Sequence, residues 1–213
     1  MKESITTVYL VRHGETVSNV EGRFRGRVEI PLNSDGIHQA HELADSLCNI
    51  PFSAIYSSPL PRAMQTAEPI ALSRCTDIIP HPKFNNIDLG DWTNRLKSDI
   101  MAEYSELWET WITTPEHMQI PNAETIEQVR MRSFDAIKRL VDTHSGERFA
   151  VVTHRAVLKP LIAALLNIPE PYFWKLHLDT ASYSIFRYSR IRGWTLINFN
   201  LTHHLSNCSE EVF

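Results

Sequence analysis

The sequence has little cysteine, no excess of positive charge and no long apolar run. Its three cysteines, Cys48, Cys75 and Cys208, are widely spaced and fit neither a disulfide framework nor a zinc site. The formal net charge of −4 gives no long-range attraction to nucleic acid or to an acidic membrane. No apolar run approaches the ~20 residues of a membrane span, and the first residues lack the apolar core of a signal peptide. We therefore expect a cytoplasmic protein with free thiols and with neither nucleic acid nor membrane as a partner.

The motifs of several common enzyme sites are absent as well. The chain has no P-loop and no G-x-G-x-x-G motif for a nucleotide, and no G-x-S-x-G motif for a serine hydrolase. It contains ten histidines, but none of them forms an H-E-x-x-H or similar metal-ligand pattern. A catalytic site, if present, must therefore be formed by polar residues that do not belong to any of these motifs.

Three apolar runs with the composition of buried strands lead into polar residues. They are residues 8–11, 149–152 and 54–56, and the polar residues that follow them are Arg12, His13, Arg62 and His154. In open α/β sheets, ligands lie outside the carboxyl ends of the strands. If these three strands are neighbours, two histidines and two arginines converge on one point, and such a cluster suits a phosphoryl group.

The whole chain alternates strand and helix patterns. Strands are predicted at 5–12, 54–57, 77–80 and 148–153, with a hairpin at 181–188 and 194–200. Helices are predicted after 33–36, at 61–72, at 97–111, from a cap at Asn122 to 142, and at 156–166. This alternation predicts an α/β fold with a mostly parallel sheet between helices and no domain boundary. Residues 84–122 are interpreted as a helical insertion that could form a lid.

The chemistry of the predicted cluster follows from its residue types. Imidazole is largely neutral near pH 7 and can attack phosphorus to form a phosphohistidine. The guanidinium groups of Arg12 and Arg62 can neutralise the phosphoryl oxygens without a metal. His154 can donate to another phosphate oxygen, and Asn19 can add a neutral donor. A leaving alkoxide also needs a proton, so an acid is expected nearby.

The order of motifs along most of the chain resembles the histidine phosphatase superfamily, in its phosphoglycerate mutase branch. The matching segments are Arg12-His13-Gly14-Glu15-Thr16 with Asn19, Gly22-Arg23-Phe24-x-Gly26, Pro31-Leu32 with Gly36 and Gln39-Ala40, Ser57-Ser58-Pro59-Leu60-x-Arg62-Ala63-x-Gln65-Thr66-Ala67, Ile87-Asp88-Leu89-Gly90-Asp91-Trp92, Pro121-Asn122-Ala123-Glu124-Thr125, and Val151-Val152-Thr153-His154. So many matches in the same order make the resemblance highly specific.

The resemblance implies a single domain over residues 1–213 with a three-layer α/β/α, phosphoglycerate mutase-like fold. It implies His13 as the nucleophile, with Arg12, Arg62 and His154 around the phosphate and Asn19 as a further contact. Neither a metal nor a cofactor is expected. Glu124 is similar to a family glutamate beside the pocket that orients basic residues, although a helix N-terminal acid explains it equally well.

Three positions depart from the family pattern. Asn86 stands where the family has the glutamate that donates a proton to the leaving group, and an amide has no such proton. Arg155 follows the second histidine where glycine is usual, and Arg25 replaces a neutral residue. The proton donor is therefore unknown. Another acid, Asp88 or Glu124, could replace it, the substrate could have a good leaving group such as an acyl phosphate or phosphoanhydride, or the protein could be a weak or inactive phosphate-binding relative.

The C-terminal residues are similar to the ending of metal-independent phosphoserine and α-ribazole phosphatases. The similar segments are Asp179-x-Ala181-Ser182-Tyr183-Ser184 and Leu201-Thr202-His203-His204-Leu205. This similarity predicts that the tail closes over the pocket and that His204 contacts substrate. An ordinary terminal segment is the alternative. Arg25, Arg27, Arg95 and Arg155 are candidates to bind a substrate carboxylate.

The leading hypothesis is a metal-independent phosphatase that hydrolyses a phosphomonoester of a small, anionic metabolite through a phosphohistidine on His13. A phosphoglycerate mutase is the first alternative. A catalytically weak phosphate-binding relative is the second, because Asn86 replaces the usual acid. A homodimer formed through Tyr172, Phe173 and Trp174 is one interpretation of those aromatic residues, and core packing is the other.

Overall fold

The computed structural model describes residues 4–207, which form six strands and seven α-helices. The strands are β1 (Thr6–Arg12), β2 (Ala54–Ser57), β3 (Ile78–Pro80), β4 (Arg148–Thr153), β5 (Tyr183–Ser189) and β6 (Gly193–Leu201). The helices are α1 (Val17–Val20), α2 (Ser34–Leu47), α3 (Pro61–Leu72), α4 (Lys97–Glu103), α5 (Ser105–Thr113), α6 (Ile126–Thr143) and α7 (Arg155–Leu166). Single 3-10 turns lie at Pro82–Phe84, Gly90–Trp92, Pro115–His117 and Phe173–Lys175.

The strands form one sheet in the order β3-β2-β4-β1-β5-β6. The first four strands of this order are parallel, and β5 and β6 are antiparallel at one edge. Arg12 pairs with Thr153, and Ser57 pairs with Val152, so β1, β4 and β2 end side by side. The mostly parallel sheet and the neighbouring strand ends are therefore as predicted.

Helices cover both faces of the sheet. Alternate residues of a strand point to opposite faces, so the apolar residues of the central strands are buried on each face. Val8 and Leu10 of β1 pack in a cluster with apolar residues of α6 and α7. Tyr9 and Val11 pack in a second cluster with residues of α2 and α3. The predicted three-layer α/β/α architecture is confirmed.

The insertion at 84–122 packs through a third apolar cluster. Trp92 is fully buried at its centre, and Ile100 of α4 is buried beside it. The cluster also includes Val129 of α6 and Val157 of α7. The insertion is thus joined to the helices that follow it by a continuous apolar core. Its closing over a ligand as a lid stays a prediction.

The predicted start of the long helix α6 is wrong by several residues. Asn122 does not cap the helix but has a left-handed backbone with φ of 58° and donates to Asp91. The cap is Thr125, whose hydroxyl accepts from the backbone N–H of Gln128 while the Gln128 side chain accepts from the backbone N–H of Thr125. This reciprocal capping box satisfies two helix-end donors, which a single asparagine cap would not do.

The aromatic residues at 172–174 belong mainly to the core. Tyr172 and Phe173 are buried within the chain, and Trp174 donates its indole N–H to the carbonyl of Trp111. Core packing therefore explains Tyr172 and Phe173, while a homodimer itself stays a prediction. Cys48 and Cys75 are free thiols, and Cys208 lies outside the described residues. No helix within residues 4–207 has the length and apolar character needed to cross a bilayer.

The segment after β1 is fixed by a backbone contact with α2. A Cβ atom on Gly36 would lie 2.0 Å from the carbonyl oxygen of Glu15, so only glycine fits there. Asn33 donates its backbone N–H to the same oxygen, and the Gln39 side chain accepts from the backbone N–H of Glu15. These contacts fix the course of the chain two residues beyond His13.

We expect Gly36→Ala to lower the free energy of unfolding by about 1–3 kcal/mol, because the added methyl group must displace backbone. Urea denaturation measures the loss. The matched control is His41→Ala on the exposed side of α2, which should change stability by less than about 0.5 kcal/mol. Equal effects of the two substitutions would contradict the close-approach argument.

Candidate active site

The carboxyl edge of the sheet brings two histidine rings next to each other. His13 directly follows β1, and His154 directly follows β4. Both side chains are buried, with exposures of 2% and 1%, and their ring centroids are 5.1 Å apart at an angle of 60°. Arg12 is the last residue of β1, and Arg62 lies in the first turn of α3, so all four predicted residues meet at this edge.

The His13 ring is oriented by its own chain. Its Nδ1 lies 2.6 Å from the carbonyl oxygen of Gly14 and must donate to it, because a carbonyl only accepts. In the neutral ring, Nε2 then carries the lone pair. A nucleophilic nitrogen therefore points away from the hydrogen-bonded side of the ring, which suits attack on phosphorus.

Both histidines are held in the neutral form. Burial lowers the pKa of His13 well below its usual value, and the positive charges of Arg62, Arg12 and Arg25 lower it further. Burial and the charge of Arg62 act on the pKa of His154 in the same direction. A neutral His13 is ready to act as a nucleophile near pH 7 without prior loss of a proton.

The Arg62 guanidinium is held in place by two backbone carbonyls. Its Nη1 donates to Val28 over 2.7 Å and its Nη2 to Gly26 over 3.0 Å, while its buried Nε–H has no hydrogen-bond partner. Burial and the neighbouring charge of Arg25 lower the pKa of Arg62. A bound anion would accept a hydrogen bond from the Nε–H and would compensate the positive charges of Arg62 and Arg25. This arginine is therefore suited to bind a phosphate. Arg12 is anchored similarly, by an Nη1 bond of 2.6 Å to Leu178.

His154 joins the site to α7 and to the loop after β2. Its Nε2 shares a hydrogen bond of 2.7 Å with the hydroxyl of Ser58, and its buried Nδ1 has no hydrogen-bond partner. His154 is also the N-cap residue of α7, so the positive end of that helix lies at the histidine pair. Together with the arginines, the helix end makes the site electropositive.

A cleft opens onto the histidine pair. It is lined by the basic residues Arg23, Arg25, Lys97 and Arg155, by the apolar residues Phe24, Ile87, Leu89, Trp111, Met118, Ile126, Ala156 and Phe173, and by His13, His154, Gly26 and Asn86. The cleft thus combines cationic groups for anions with an apolar wall for an organic group. Of the predicted substrate-binding residues, Arg25 and Arg155 line it, and Lys97 was missed from the sequence.

Other predicted binding residues lie outside the lining of this cleft. Asn19 is buried, and its amide oxygen accepts from the backbone N–H and hydroxyl of Thr16, so it can offer only its N–H groups to a ligand. His204 donates to the carbonyl of Ala181 over 3.1 Å and packs beside Tyr183. Its contact with substrate stays a prediction, as does closure of the tail, whose residues 208–213 lie outside the described part of the chain.

Two of the arginines proposed for a substrate carboxylate are engaged within the protein. Arg95 forms an ion pair with Glu103. Arg27 contacts Glu124 over 3.2 Å and Asp88 over 3.5 Å. Both therefore serve the structure around the cleft, and the role suggested for them is not supported.

Glu124 acts on a residue that sequence reasoning missed. Its carboxylate accepts two hydrogen bonds from Arg132, at 2.6 and 3.0 Å, and neither side chain is more than 13% exposed. Arg132 also donates to the carbonyls of Lys83, Asn85 and Asn86. The pair thus fixes the loop that carries Asn86. Glu124 precedes α6, and the two residues are not spaced as an i,i+3 or i,i+4 helix pair, so the sequence carried no signal for this contact.

Asn86 is fixed in one orientation at the cleft. The residue is 6% exposed, and its Nδ2 donates to the carbonyl of Gly26 over 2.7 Å. A flipped amide would place its oxygen against that carbonyl, so the orientation is determined. Its Oδ1 is buried without a hydrogen-bond partner. The position of the family's acid is therefore occupied by an acceptor oxygen.

Comparisons with known proteins agree with this geometry. The model of the histidine phosphatase superfamily (branch 1) matches residues 8–202. Phosphoserine phosphatase 1 of Hydrogenobacter thermophilus is 31% identical over 196 residues, which are 92% of each chain. Adenosylcobalamin/alpha-ribazole phosphatase of Escherichia coli is 32% identical and covers 83% of this chain and 87% of its own. The solved structure of Bacillus stearothermophilus YhfR has a TM-score of 0.90 at 30% identity, over 94% of this chain and 100% of its own.

Within residues 4–207, no group of three His, Cys, Asp or Glu side chains is arranged to hold a metal ion. Metal independence stays a prediction that an assay must test.

Breaking the Glu124–Arg132 pair should destabilise the protein. We expect Arg132→Met to lower the free energy of unfolding by about 3 kcal/mol, because a largely buried carboxylate and three carbonyls lose their donor. Urea denaturation measures this. Arg130→Met, which removes an exposed pair with Glu127, is the control and should cost less than about 1 kcal/mol. Similar losses in both variants would refute the assigned role.

Stability should fall in acid because of the buried neutral histidines. Below about pH 6.5 the unfolded chain binds protons that folded His13 and His154 do not, so the free energy of unfolding drops by up to about 1.4 kcal/mol per pH unit for each group. Urea denaturation near pH 7.5 and near pH 5.5 measures the drop. His154→Gln, which keeps a hydrogen-bonding group but cannot titrate, should show the smaller drop, and an equal drop would contradict the assignment.

Proposed function

The chain belongs to the histidine phosphatase superfamily, and from this premise we propose that it is a metal-independent phosphatase that hydrolyses phosphomonoesters of small metabolites through a phosphohistidine on His13. The observation that carries the proposal is the His13 ring itself. It is neutral, its Nδ1 is bound to Gly14, and it lies 5.1 Å from His154 among arginines. The two phosphatase relatives support the hydrolase activity.

In the first step the Nε2 lone pair of His13 attacks phosphorus. A P–N bond forms while the P–O bond to the leaving group breaks, and the electron pair of that bond leaves on the oxygen. The ring becomes a phosphorylated imidazolium whose Nδ1–H remains on the carbonyl of Gly14, 2.6 Å away. Arg12, Arg62 and the N-terminus of α7 neutralise the phosphoryl oxygens, which carry the charge of the transition state.

In the second step water attacks the phosphohistidine. The P–N bond breaks, its electron pair returns to Nε2, and both water hydrogens leave with the phosphate as dihydrogen phosphate. His13 is then neutral again with its proton on Nδ1. Each step makes one bond to phosphorus and breaks one. An alkoxide released in the first step must in addition take up a proton to leave as the alcohol, and the donor of that proton is unassigned.

The other site residues are assigned supporting roles in this proposal. His154 and Asn19 donate to phosphate oxygens, Arg25 and Arg155 bind an anionic part of the metabolite, and Glu124 acts through Arg132 as a positioning residue. The tail with His204 and the insertion at 84–122 enclose the substrate. We propose a cytoplasmic location, which the free thiols of Cys48 and Cys75 support.

The test is phosphate release from a panel of phosphate esters in excess chelator, with trapping of the phosphoenzyme by rapid acid-free quench and intact-mass measurement. We expect turnover that resists the chelator and a phosphoenzyme that His13→Ala abolishes, with a loss in kcat of ~10³-fold or more. The control is His38→Ala, which alters a histidine with 66% side-chain exposure and should keep full activity.

Three results would contradict the proposal in different ways. A phosphoenzyme that reacts with phosphoglycerates faster than with water would indicate a mutase. Binding of inorganic phosphate without any phosphoenzyme would indicate a non-catalytic relative. Loss of turnover in chelator would exclude the metal-independent mechanism.

A further inference from the structure

We propose that the substrates of this site are acyl phosphates or phosphoanhydrides, whose leaving group departs as a stable anion and needs no proton. This inference rests on the proposed phosphohistidine mechanism but goes beyond the proposed phosphomonoesters, because acyl phosphates and phosphoanhydrides are anhydrides of phosphoric acid that the same two steps would hydrolyse. It follows from which groups line the cleft, how Asn86 is held and where the neighbouring carboxylates are engaged.

A leaving alkoxide must receive a proton from a group within hydrogen-bond reach of its oxygen. None of the described residues that line the cleft is an aspartate or a glutamate. The titratable lining residues are His13, His154, Arg23, Arg25, Lys97 and Arg155. Guanidinium and ammonium groups are weak acids near neutral pH, and His154 is held neutral by burial and by Arg62. The lining therefore contains no effective general acid for an alkoxide.

The carboxylates next to the cleft are engaged elsewhere. Glu124 is bound by Arg132 and Arg27, outside the lining. Asp88 accepts from the backbone N–H of Gly90 and pairs with Arg27. Both carboxylates are thus bound to arginines, and neither belongs to the lining of the cleft. Neither can replace an acid at position 86 without breaking these contacts.

Asn86 itself presents an oxygen that can only accept. Its Nδ2 is committed to Gly26, and its buried Oδ1 has no hydrogen-bond partner. Asn86 can therefore give no proton to a leaving group in the first step.

The cationic lining suits a leaving group that carries a negative charge. Arg25, Lys97 and Arg155 face the same cleft as the histidines. A departing carboxylate or phosphate gains charge-assisted hydrogen bonds from such groups as the P–O bond breaks. Carboxylate and phosphate leaving groups share this chemistry. Acetyl phosphate, which releases a carboxylate, and inorganic pyrophosphate, which releases a phosphate, are the two probes that distinguish acyl phosphates from phosphoanhydrides as substrates.

The experiment compares leaving groups on the full chain. We measure kcat/KM for acetyl phosphate, pyrophosphate, p-nitrophenyl phosphate, phenyl phosphate and glycerol phosphate, and the rate of phosphoenzyme formation from each. We expect kcat/KM to fall steeply as the leaving group becomes more basic, with acetyl phosphate or pyrophosphate highest. Equal rates for glycerol phosphate and acetyl phosphate would overturn the inference.

Substitutions at Asn86 test the cause of this slope. Asn86→Glu supplies a carboxylic acid and should raise the ratio of kcat/KM for glycerol phosphate to that for acetyl phosphate by ~10²–10⁴-fold. Asn86→Gln introduces a side chain as long as that of glutamate but without an acid proton, and it should not raise this ratio. A folded Asn86→Glu protein, checked by near-UV circular dichroism, that leaves the ratio unchanged would refute the missing-acid argument.

A further variant tests Glu210 and Glu211, two acids of the tail that lie outside the described residues. The absence of an acid among the described lining residues does not extend to them. The double substitution Glu210→Gln and Glu211→Gln should leave the ratio of kcat/KM for glycerol phosphate to that for acetyl phosphate unchanged. Selective loss of glycerol phosphate turnover would show that the tail supplies the acid and would overturn the inference. If no donor forms a phosphoenzyme on His13, the proposed function itself fails, which is a result distinct from a shallow dependence on the leaving group.

Discussion

The hydrogen bond from His13 Nδ1 to the carbonyl of Gly14 is the contact on which the site depends. At 2.6 Å it determines which ring nitrogen carries the proton and which carries the lone pair. The carbonyl can hold this position only because the chain beyond it is packed against the first turn of α2, where Gly36 allows backbone to touch backbone. The orientation of the His13 imidazole thus depends on Gly36 of α2 having no side chain.

Buried positive charge is the second feature that shapes the site. Arg12 and Arg62 are nearly inaccessible, and backbone carbonyls rather than surface carboxylates hold their guanidinium groups. This arrangement costs stability in the free protein and keeps His13 and His154 neutral. A phosphate dianion would compensate the charge, so the same residues that strain the unliganded protein give affinity for the ligand.

The family relationship and the local departures from it answer different questions. Membership of the superfamily accounts for the fold, the histidine pair and the arginines. Asn86, Arg155 and Arg25 line the same cleft as His13 and His154. Loss of an acid at position 86 leaves the attack of His13 on phosphorus possible, because the acid serves only the leaving group. We therefore relate the departure at Asn86 to the substrate class more than to the presence of catalysis.

The sequence by itself determined the alternation of strands and helices, the strand ends and the residues His13, Arg12, Arg62 and His154, because burial periodicity and motif order are local properties. It did not determine the Glu124–Arg132 pair or the lining role of Lys97. Those depend on which helix faces which loop, and only packing decides that. The cap at Thr125 is by contrast a local feature, because its capping box involves only residues 125 and 128. The tertiary structure likewise decided that the amide of Asn86 is fixed by Gly26, since residues 60 positions apart meet there.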